Sequence, residues 1–207
     1  DSQAIWTYNG DGPYKIVNNF LEGTGMSYMA GGTDSSIPGS IPADIEFRGN
    51  HCYKPIAWKD PNLWGVKNLF ELKNAQRVLV SGNVMENCWT DGQDGTAVLI
   101  TPRNQSGTAP WSIVTDVDFE NNIVSNVGTF LSLLGEDNVH PSGQTQRIRI
   151  HNNLVTDITR DYNVGPSIFR AATIDSPNLY VTITHNTLLQ SDDELALNAH
   201  FNFQSPT

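Results

Sequence analysis

The chain has 207 residues, and its 22 acidic side chains outnumber 12 lysines and arginines to give a formal net charge of −10. This length suffices for a sizeable core in one domain, and there is no run of about 18 apolar residues that would predict a membrane span. The acidic balance argues against nucleic acid as a partner, because nucleic acid needs a basic face, and it is compatible with calcium or with neutral glycans.

A sixfold repeat organises the sequence. Each copy has two apolar residues in alternation with polar ones, then an asparagine, then a further apolar residue two positions later. The asparagines are Asn19, Asn50, Asn83, Asn122, Asn153 and Asn186, at spacings of 31, 33, 39, 31 and 33 residues. Apolar residues two positions apart predict a strand with one buried face. Each copy therefore predicts one strand before the asparagine and a shorter strand after it.

The period of the repeat predicts a solenoid. A period of more than 30 residues is too long for an array of hairpins, so each copy is interpreted as one turn that contacts only its neighbours. Asparagine at a fixed corner tolerates the left-handed backbone that a sharp bend needs, and stacked asparagines can hydrogen-bond along the column. Asparagine in the turns of an all-β sandwich is the alternative, which the constant offsets disfavour.

A third strand is predicted in every turn, beyond a loop of variable length. These strands are placed at residues 4–7, 27–30, 69–73, 97–101, 130–134, 168–171 and 195–198. The loops at 54–66, 88–96, 102–113, 135–146 and 159–167 are rich in Gly, Pro or Asp, which is typical of irregular connections. We expect one domain over residues 1–207, with Cys52 and Cys88 as buried free thiols because they fall in different columns.

This pattern resembles the right-handed parallel β-helix of the pectate-lyase-like superfamily, and most of all its secreted bacterial β-helix repeat proteins. The resemblance implies an all-β fold of about six turns, three short parallel sheets and an asparagine ladder at one corner. It also implies an extracellular or periplasmic location and a polysaccharide bound along the groove over the first sheet. The catalytic motifs of the polygalacturonases and pectate lyases are not assembled here, so the resemblance is specific for fold and weak for function.

Charged residues of both signs are predicted on the outer face of the first sheet. If the apolar residues of the third strands face inward, alternation turns Glu71, Lys73 and Arg170 outward. Further charged residues follow at strand ends, namely Arg103, Glu136 and Asp137. As catalytic candidates, the carboxylates suit glycoside hydrolysis, and the basic groups suit β-elimination of a uronate. The alternative is a solvated strand face that forms cross-strand ion pairs.

The loops contain candidates for ligand binding. Four tryptophans, Trp58, Trp64, Trp89 and Trp111, fall in loops and are predicted to stack on sugar rings or, as the alternative, to cover the sheet beneath. Asp91 and Asp94 form a weak candidate for Ca²⁺, with fewer ligands than an EF-hand. The five histidines lack metal-site spacing, and His51, His151 and His185 are predicted as turn residues beside the asparagine corner.

Three functions remain as hypotheses. The first is a polysaccharide lyase or glycoside hydrolase, the second a non-catalytic glycan-binding module, and the third a segment of an adhesin-like structural solenoid. Neither end of the repeat carries a predicted cap, so the chain is expected to be part of a longer β-helix or to associate end to end. Activity on a glycan would favour the first hypothesis, and binding without product release would favour the second. Concentration-dependent end-to-end association without glycan affinity would favour the third.

Overall fold

The computed structural model describes residues 2–59, 64–162, 167–172, 179–190 and 200–201. In chain order the strands are β1 (Gln3–Trp6), β2 (Tyr14–Val17), β3 (Phe20–Leu21), β4 (Met26–Ala30), β5 (Ala43–Arg48), β6 (His51–Tyr53), β7 (Phe70–Leu72), β8 (Ala75–Ser81), β9 (Val84–Cys88), β10 (Thr96–Ile100), β11 (Val114–Glu120), β12 (Ile123–Val127), β13 (Thr129–Leu134), β14 (Gln146–His151), β15 (Leu154–Ile158), β16 (Ser167–Ala172), β17 (Leu179–Thr184), β18 (Thr187–Gln190) and β19 (His200–Phe201). Two short 3-10 helices, Ile56–Lys59 and Arg160–Tyr162, interrupt them. Within these described residues no helix is long and apolar enough to cross a membrane.

The strands form three sheets in which every neighbour is the equivalent strand of an adjacent turn. The first sheet has the order β1-β4-β7-β10-β13-β16-β19, the second β17-β14-β11-β8-β5-β2, and the third β18-β15-β12-β9-β6-β3. All pairs are parallel, and the chain visits the second, third and first sheets in that sequence in each of its turns. The predicted all-β parallel solenoid of about six turns is therefore confirmed.

The ladder asparagines form one file at the corner between the second and third sheets. In each step a backbone N–H and a side-chain Nδ2 donate to the Oδ1 of the next asparagine, as from Asn83 to Asn122 at 2.9 and 2.8 Å. The left-handed residue of the corner is the one before the ladder asparagine, for example Gly82 with φ 66° and Asn121 with φ 56°. The ladder asparagine itself therefore ties adjacent turns together, and its predecessor makes the bend.

Two further left-handed columns lie elsewhere in the turns. Asn87, Asn126 and Asp157 have φ between 55° and 69° at the end of third-sheet strands. A second column, in the second sheet, alternates in charge and consists of Asp44, Arg77, Asp116 and Arg147, with φ of 54–56°. Its side chains pair along the column, with Arg77 Nε 2.7 Å from Asp44 Oδ1 and Arg147 Nη2 2.8 Å from Asp116 Oδ2. These ion pairs favour the observed order of turns. If a turn paired with the next turn but one, Asp would lie beside Asp and Arg beside Arg.

The interior is a stack of apolar side chains from successive turns. Tyr28, Phe47 and Phe70 are fully buried, and their ring centroids lie 5.1–5.2 Å apart. Aromatic contacts of this kind add about 0.5–1.5 kcal/mol beyond the area that they bury. Cys52 and Cys88 are buried free thiols, as predicted. Their burial raises the pKa of each thiol to about 12, so neither is a reactive thiolate.

Among the residues whose burial the structure describes, one basic side chain is buried in this interior. Lys54 lies at the end of the third-sheet strand β6 and is fully buried. Its Nζ donates to three successive carbonyl oxygens, those of Gly23, Thr24 and Gly25, at 2.8, 2.9 and 2.8 Å. Burial lowers the pKa of this amine to about 8. The three hydrogen bonds satisfy carbonyl groups of the connection into β4, and those of Thr24 and Gly25 also accept from Lys67 N at 3.3 and 3.2 Å.

Candidate functional site

The first sheet is bordered on one side by the connections that lead into it from the third sheet. Thr90 N donates to Tyr162 O at 2.7 Å and so joins the connections before β10 and β16. Gly92 N donates to Val66 O at 2.9 Å and joins the connection before β10 to the one before β7. Only Gly128 separates β12 from β13, so the longer connections of the turns above and below meet across it. This side of the sheet is therefore a continuous wall of loops.

The other border is formed by connections that leave the first sheet. Asp34 Oδ2 accepts hydrogen bonds from Ser106 N at 3.0 Å and from Thr108 N at 2.9 Å, which joins the loops after β4 and β10. Asn104 Nδ2 donates to Pro141 O at 2.7 Å and joins the loops after β10 and β13. The outer face of the first sheet therefore runs between two walls of loops. We call this outer face, together with its two borders, the groove.

The floor of the groove is a row of residues that are neighbours in the parallel register. Met29, Glu71, Leu99 and Ser132 follow one another along it, and Arg170 is next. Met29 and Glu71 are buried, whereas Leu99 and Ser132 are half-buried. The side chain of Arg170 lies outside the described part of the chain. The floor is therefore covered at the Met29 end and accessible in the middle turns.

Glu71 lies on the outer face of β7, but its side chain is only 1% exposed. Asn68 Nδ2 donates to Glu71 Oε2 at 3.1 Å, and Lys73 Nζ lies 3.5 Å from Oε1. The two charges therefore pair with each other in a covered position. Lys73 keeps an exposed fraction of 18% and is the part of this pair that reaches solvent. Asn68 and Lys73 hold the Glu71 carboxylate in place, and its burial leaves it little access to a ligand.

Arg103 and Asp137 form a clamp between two loops of the second wall. Arg103 Nη1 donates to Asp137 Oδ1 at 3.0 Å, and the backbone N–H of Asn104 donates to Oδ2 at 2.8 Å. Val139 N donates to the same carboxylate at 2.9 Å, and the Asp137 side chain is 3% exposed. Both carboxylate oxygens are thus engaged with the protein. Glu136, the next candidate, is half-buried beside the clamp.

The four loop tryptophans have different environments. Trp89 is buried, with its ring centroid 6.4 Å from that of Tyr162, so it covers the structure beneath. Trp111 is half-buried, and its Nε1 has no hydrogen-bond partner. Trp58 and Trp64 lie together, with centroids 6.1 Å apart and planes inclined by 42°. Trp64 is 51% exposed, so this pair presents aromatic surface to solvent.

Lys59 lies beside the tryptophan pair and is held in place by the connection before β16. Its Nζ is 4.3 Å from the centre of the Tyr162 ring and donates to Asp161 O at 3.0 Å. A cation over an aromatic face is attracted by the ring quadrupole. The aromatic residues of this wall are therefore accompanied by one positioned positive charge.

The weak calcium candidate consists of two carboxylates that bind different parts of the chain. Asp91 Oδ2 accepts from Val66 N at 2.6 Å, and Asp94 Oδ1 accepts from Thr96 Oγ1 at 2.8 Å. Among the residues that the structure describes, the group whose ligand atoms all lie within 4.8 Å of one another is Asp118, Glu120 and His151. It is half-buried on the second sheet, away from the groove.

Sequence reasoning missed this group because it assigned His151 to a turn. The ladder offsets contained the signal. Glu120 and His151 each stand two positions before a ladder asparagine, in consecutive turns, so a parallel solenoid makes them neighbours. Asp118 stands two positions before Glu120 on the same strand and therefore shares its face.

Comparison with known proteins identifies no relative. No protein-family model, no curated protein and no solved structure matches this chain.

Proposed function

We propose that this chain is a β-helix protein of the pectate-lyase-like kind that binds an extracellular polysaccharide in the groove over its first sheet. The observation that carries the proposal is the tryptophan pair in the connection that enters β7, in which the half-buried Trp58 lies against Trp64, which is 51% exposed. We further propose that the protein is bacterial and acts outside the cytoplasm, where such polymers occur.

Aromatic pairs of this kind suit sugar rings. A pyranose has an apolar face of C–H groups, and an indole offers a flat surface that is ordered at low entropic cost. Trp58 and Trp64 are inclined to each other by 42°, so together they form a corner instead of one plane. Lys59, the residue after Trp58, adds a hydrogen-bond donor to the same connection. The arrangement supports recognition of a ring with polar substituents at its edge.

The groove also has the shape that a polymer requires. Its walls are built by loops of several turns, and strands of adjacent turns in a parallel sheet are about 4.8 Å apart. Leu99 and Ser132 are half-buried on its floor in consecutive turns. A linear ligand lying across the strands would therefore contact the floor in more than one turn. A small ligand would gain nothing from such a repeat.

Binding without catalysis is the form of this function that the described carboxylates favour. Hydrolysis of a glycoside uses two carboxyl groups that face the scissile bond. Glu71 is covered and paired with Lys73, and both oxygens of Asp137 accept hydrogen bonds from the protein. Neither carboxylate is therefore free for a bound sugar. Catalysis by Glu136 or Arg170 remains a prediction, which the following experiment also tests.

The test is retention of the purified chain on a panel of neutral and acidic polysaccharides, with and without Ca²⁺, while soluble products are assayed. Retention without new reducing ends or unsaturated products is expected. Trp64→Ala should weaken binding by about tenfold, which corresponds to about 1.4 kcal/mol of lost stacking. Phe20→Ala is the matched control, because Phe20 is 60% exposed on the third sheet and should leave retention unchanged.

Three results decide the outcome. Failure of every polymer to retain the chain would overturn the proposal and favour a structural solenoid. Equal weakening by both substitutions would show non-specific adsorption. Release of cleaved products would support a polysaccharide as the ligand and would make the protein a lyase or a glycosidase.

A further inference from the structure

The second sheet carries a group of three metal-binding side chains that has no part in the proposed groove. Asp118 and Glu120 lie on β11, and His151 lies on the adjacent strand β14, directly opposite Glu120 in the register. His151 Nε2 is 2.7 Å from Asp118 Oδ1 and 3.3 Å from Glu120 Oε2. Two carboxylates from one turn and an imidazole from the next thus converge on one point.

A single N–H of His151 cannot donate a good hydrogen bond to both carboxylates. A neutral imidazole carries one N–H, so Nε2 can donate one good hydrogen bond and not two. The second carboxylate oxygen at 3.3 Å then faces the same nitrogen with little compensation. A metal ion between the three atoms would satisfy all of them. In a tetrahedral site with ligand bonds of about 2.0–2.2 Å, neighbouring ligand atoms are about 3.3–3.6 Å apart. The distance from His151 Nε2 to Glu120 Oε2, 3.3 Å, equals that spacing, and the 2.7 Å distance to Asp118 Oδ1 has to widen by about 0.6 Å when the ion binds.

We propose that Asp118, Glu120 and His151 bind a divalent transition-metal ion on the outer face of the second sheet. One imidazole with two carboxylates is a ligand set of mixed nitrogen and oxygen donors, which suits Zn²⁺ and its first-row neighbours. Ca²⁺ takes six to eight oxygen ligands, so it should bind this site weakly. The site has three protein ligands and is half-buried, which leaves the remaining positions to water.

A neighbouring side chain orients the Glu120 carboxylate for this role. Ser81 Oγ donates to Glu120 Oε1 at 3.1 Å, which leaves Oε2 directed at the imidazole. Asp118 Oδ1 is directed at the same imidazole nitrogen, at 2.7 Å. Each carboxylate therefore has one oxygen available as a ligand. Outer-shell hydrogen bonds of this kind fix the ligands of metal sites.

Arg149 is the competing cation. Its Nη2 lies 3.2 Å from His151 Nε2, so a guanidinium occupies part of the space beside the ligands. The Arg149 side chain is 60% exposed, and it can turn into solvent when an ion binds. Binding of the ion therefore exchanges one positive charge for another. The metal would also link two turns of the solenoid through their side chains and stabilise them against separation.

The experiment is calorimetric titration of the full chain with zinc chloride in a non-chelating buffer at neutral pH. One site is expected. His151→Gln should weaken it by more than the about 10–100-fold that the loss of an outer-shell partner costs, and Ser81→Ala should weaken it by about tenfold. Arg149→Gln should tighten it by removing the competing charge. Calcium chloride should give no comparable heat.

His51→Gln is the matched control. His51 also pairs with a carboxylate, since its Nε2 is 2.6 Å from Glu86 Oε2, but Glu86 is its sole carboxylate partner among the described ion pairs. The control should leave zinc binding unchanged. If both histidine variants lose binding equally, the ion binds surface imidazoles adventitiously and the proposal is overturned. Absence of a site in the wild-type chain, or weaker binding by Arg149→Gln, overturns it as well. Far-UV circular dichroism of each variant checks folding, and Glu120→Gln replaces any variant that does not fold.

Discussion

Substitution of one ladder asparagine should destabilise the solenoid by an amount that depends on its place in the file. Asn122 is central and only 1% exposed. Its Nδ2 donates to Asn153 Oδ1 at 3.1 Å and to Val80 O at 3.0 Å. Its Oδ1 accepts from Asn83 N at 2.9 Å and from Asn83 Nδ2 at 2.8 Å. Asn122→Ala therefore removes four buried hydrogen bonds.

The magnitude follows from these four bonds. A typical intramolecular hydrogen bond contributes about 0.5–1.5 kcal/mol net, so their loss should lower the free energy of unfolding by about 2–6 kcal/mol. The upper part of that range is expected, because the substitution leaves the Asn83 N–H buried without a partner. Domains are stable by about 5–15 kcal/mol, so such a loss is a large fraction of the total. Urea unfolding monitored by circular dichroism measures it.

Asn19→Ala provides the control at the end of the file. Asn19 is exposed, and the hydrogen bond that its side chain makes is from Nδ2 to Asn50 Oδ1 at 2.9 Å. Its backbone N–H also donates to Asn50 Oδ1 and survives the substitution. The expected loss is about 0.5–1.5 kcal/mol. Equal losses for Asn122→Ala and Asn19→Ala, within about 0.5 kcal/mol, would refute the view that buried ladder bonds hold the turns together.

Three further predictions concern charge and buried groups. Arg77→Gln should lower the stability of the protein at neutral pH, because hydrogen bonding to Arg77 lowers the pKa of Asp44. The difference from the wild type should shrink as pH falls below the ordinary Asp value of 3.8, where Asp44 becomes protonated. Urea unfolding of both proteins at neutral and acid pH tests this. Lys54 has a folded pKa of about 8 against 10.5, so the unfolded chain binds the extra proton between these values and the contribution of Lys54 to stability should rise with pH across that window. Lys54→Met should remove this rise in urea unfolding measured at pH 7 and pH 10, and an identical rise in the variant would contradict the assignment. Cys52 and Cys88 should resist a thiol reagent at pH 8 in the folded protein and react once it is unfolded, because burial raises both pKa values to about 12.

The groove residues show where local pattern stops being informative. The predicted inward and outward faces of the first sheet agree with the structure, since Phe70, Val98 and Leu131 are buried in one row of the core. Glu71 does face outward, yet Asn68 and Lys73 enclose it. Period-two alternation reports which side of a sheet a residue takes, and it carries no information about whether loops cover that side. Exposure of the candidate site therefore depended on how the loops pack.

The loop residues were the least predictable. Trp58, Trp64, Trp89 and Trp111 looked equivalent in sequence, but Trp89 is buried and Trp64 is 51% exposed. Loop conformations depend on hydrogen bonds between connections far apart in the chain, such as Thr90 to Tyr162. The strand predicted at residues 195–198 lies outside the described residues, and the first sheet ends with His200–Phe201. Arg170 has its strand confirmed, whereas its side chain remains a prediction.

The amino-acid sequence by itself determined the solenoid, its three parallel strands per turn and the file of asparagines, because each of these depends on spacings within one repeat and on their recurrence. Tertiary structure alone decided which charged groups are paired within the protein, which tryptophans are exposed to solvent and which side chains converge on His151. Those properties arise between turns, where residues about 30 positions apart become neighbours at a strand spacing of about 4.8 Å. Small differences in loop length then decide which side chains of adjacent turns come into contact.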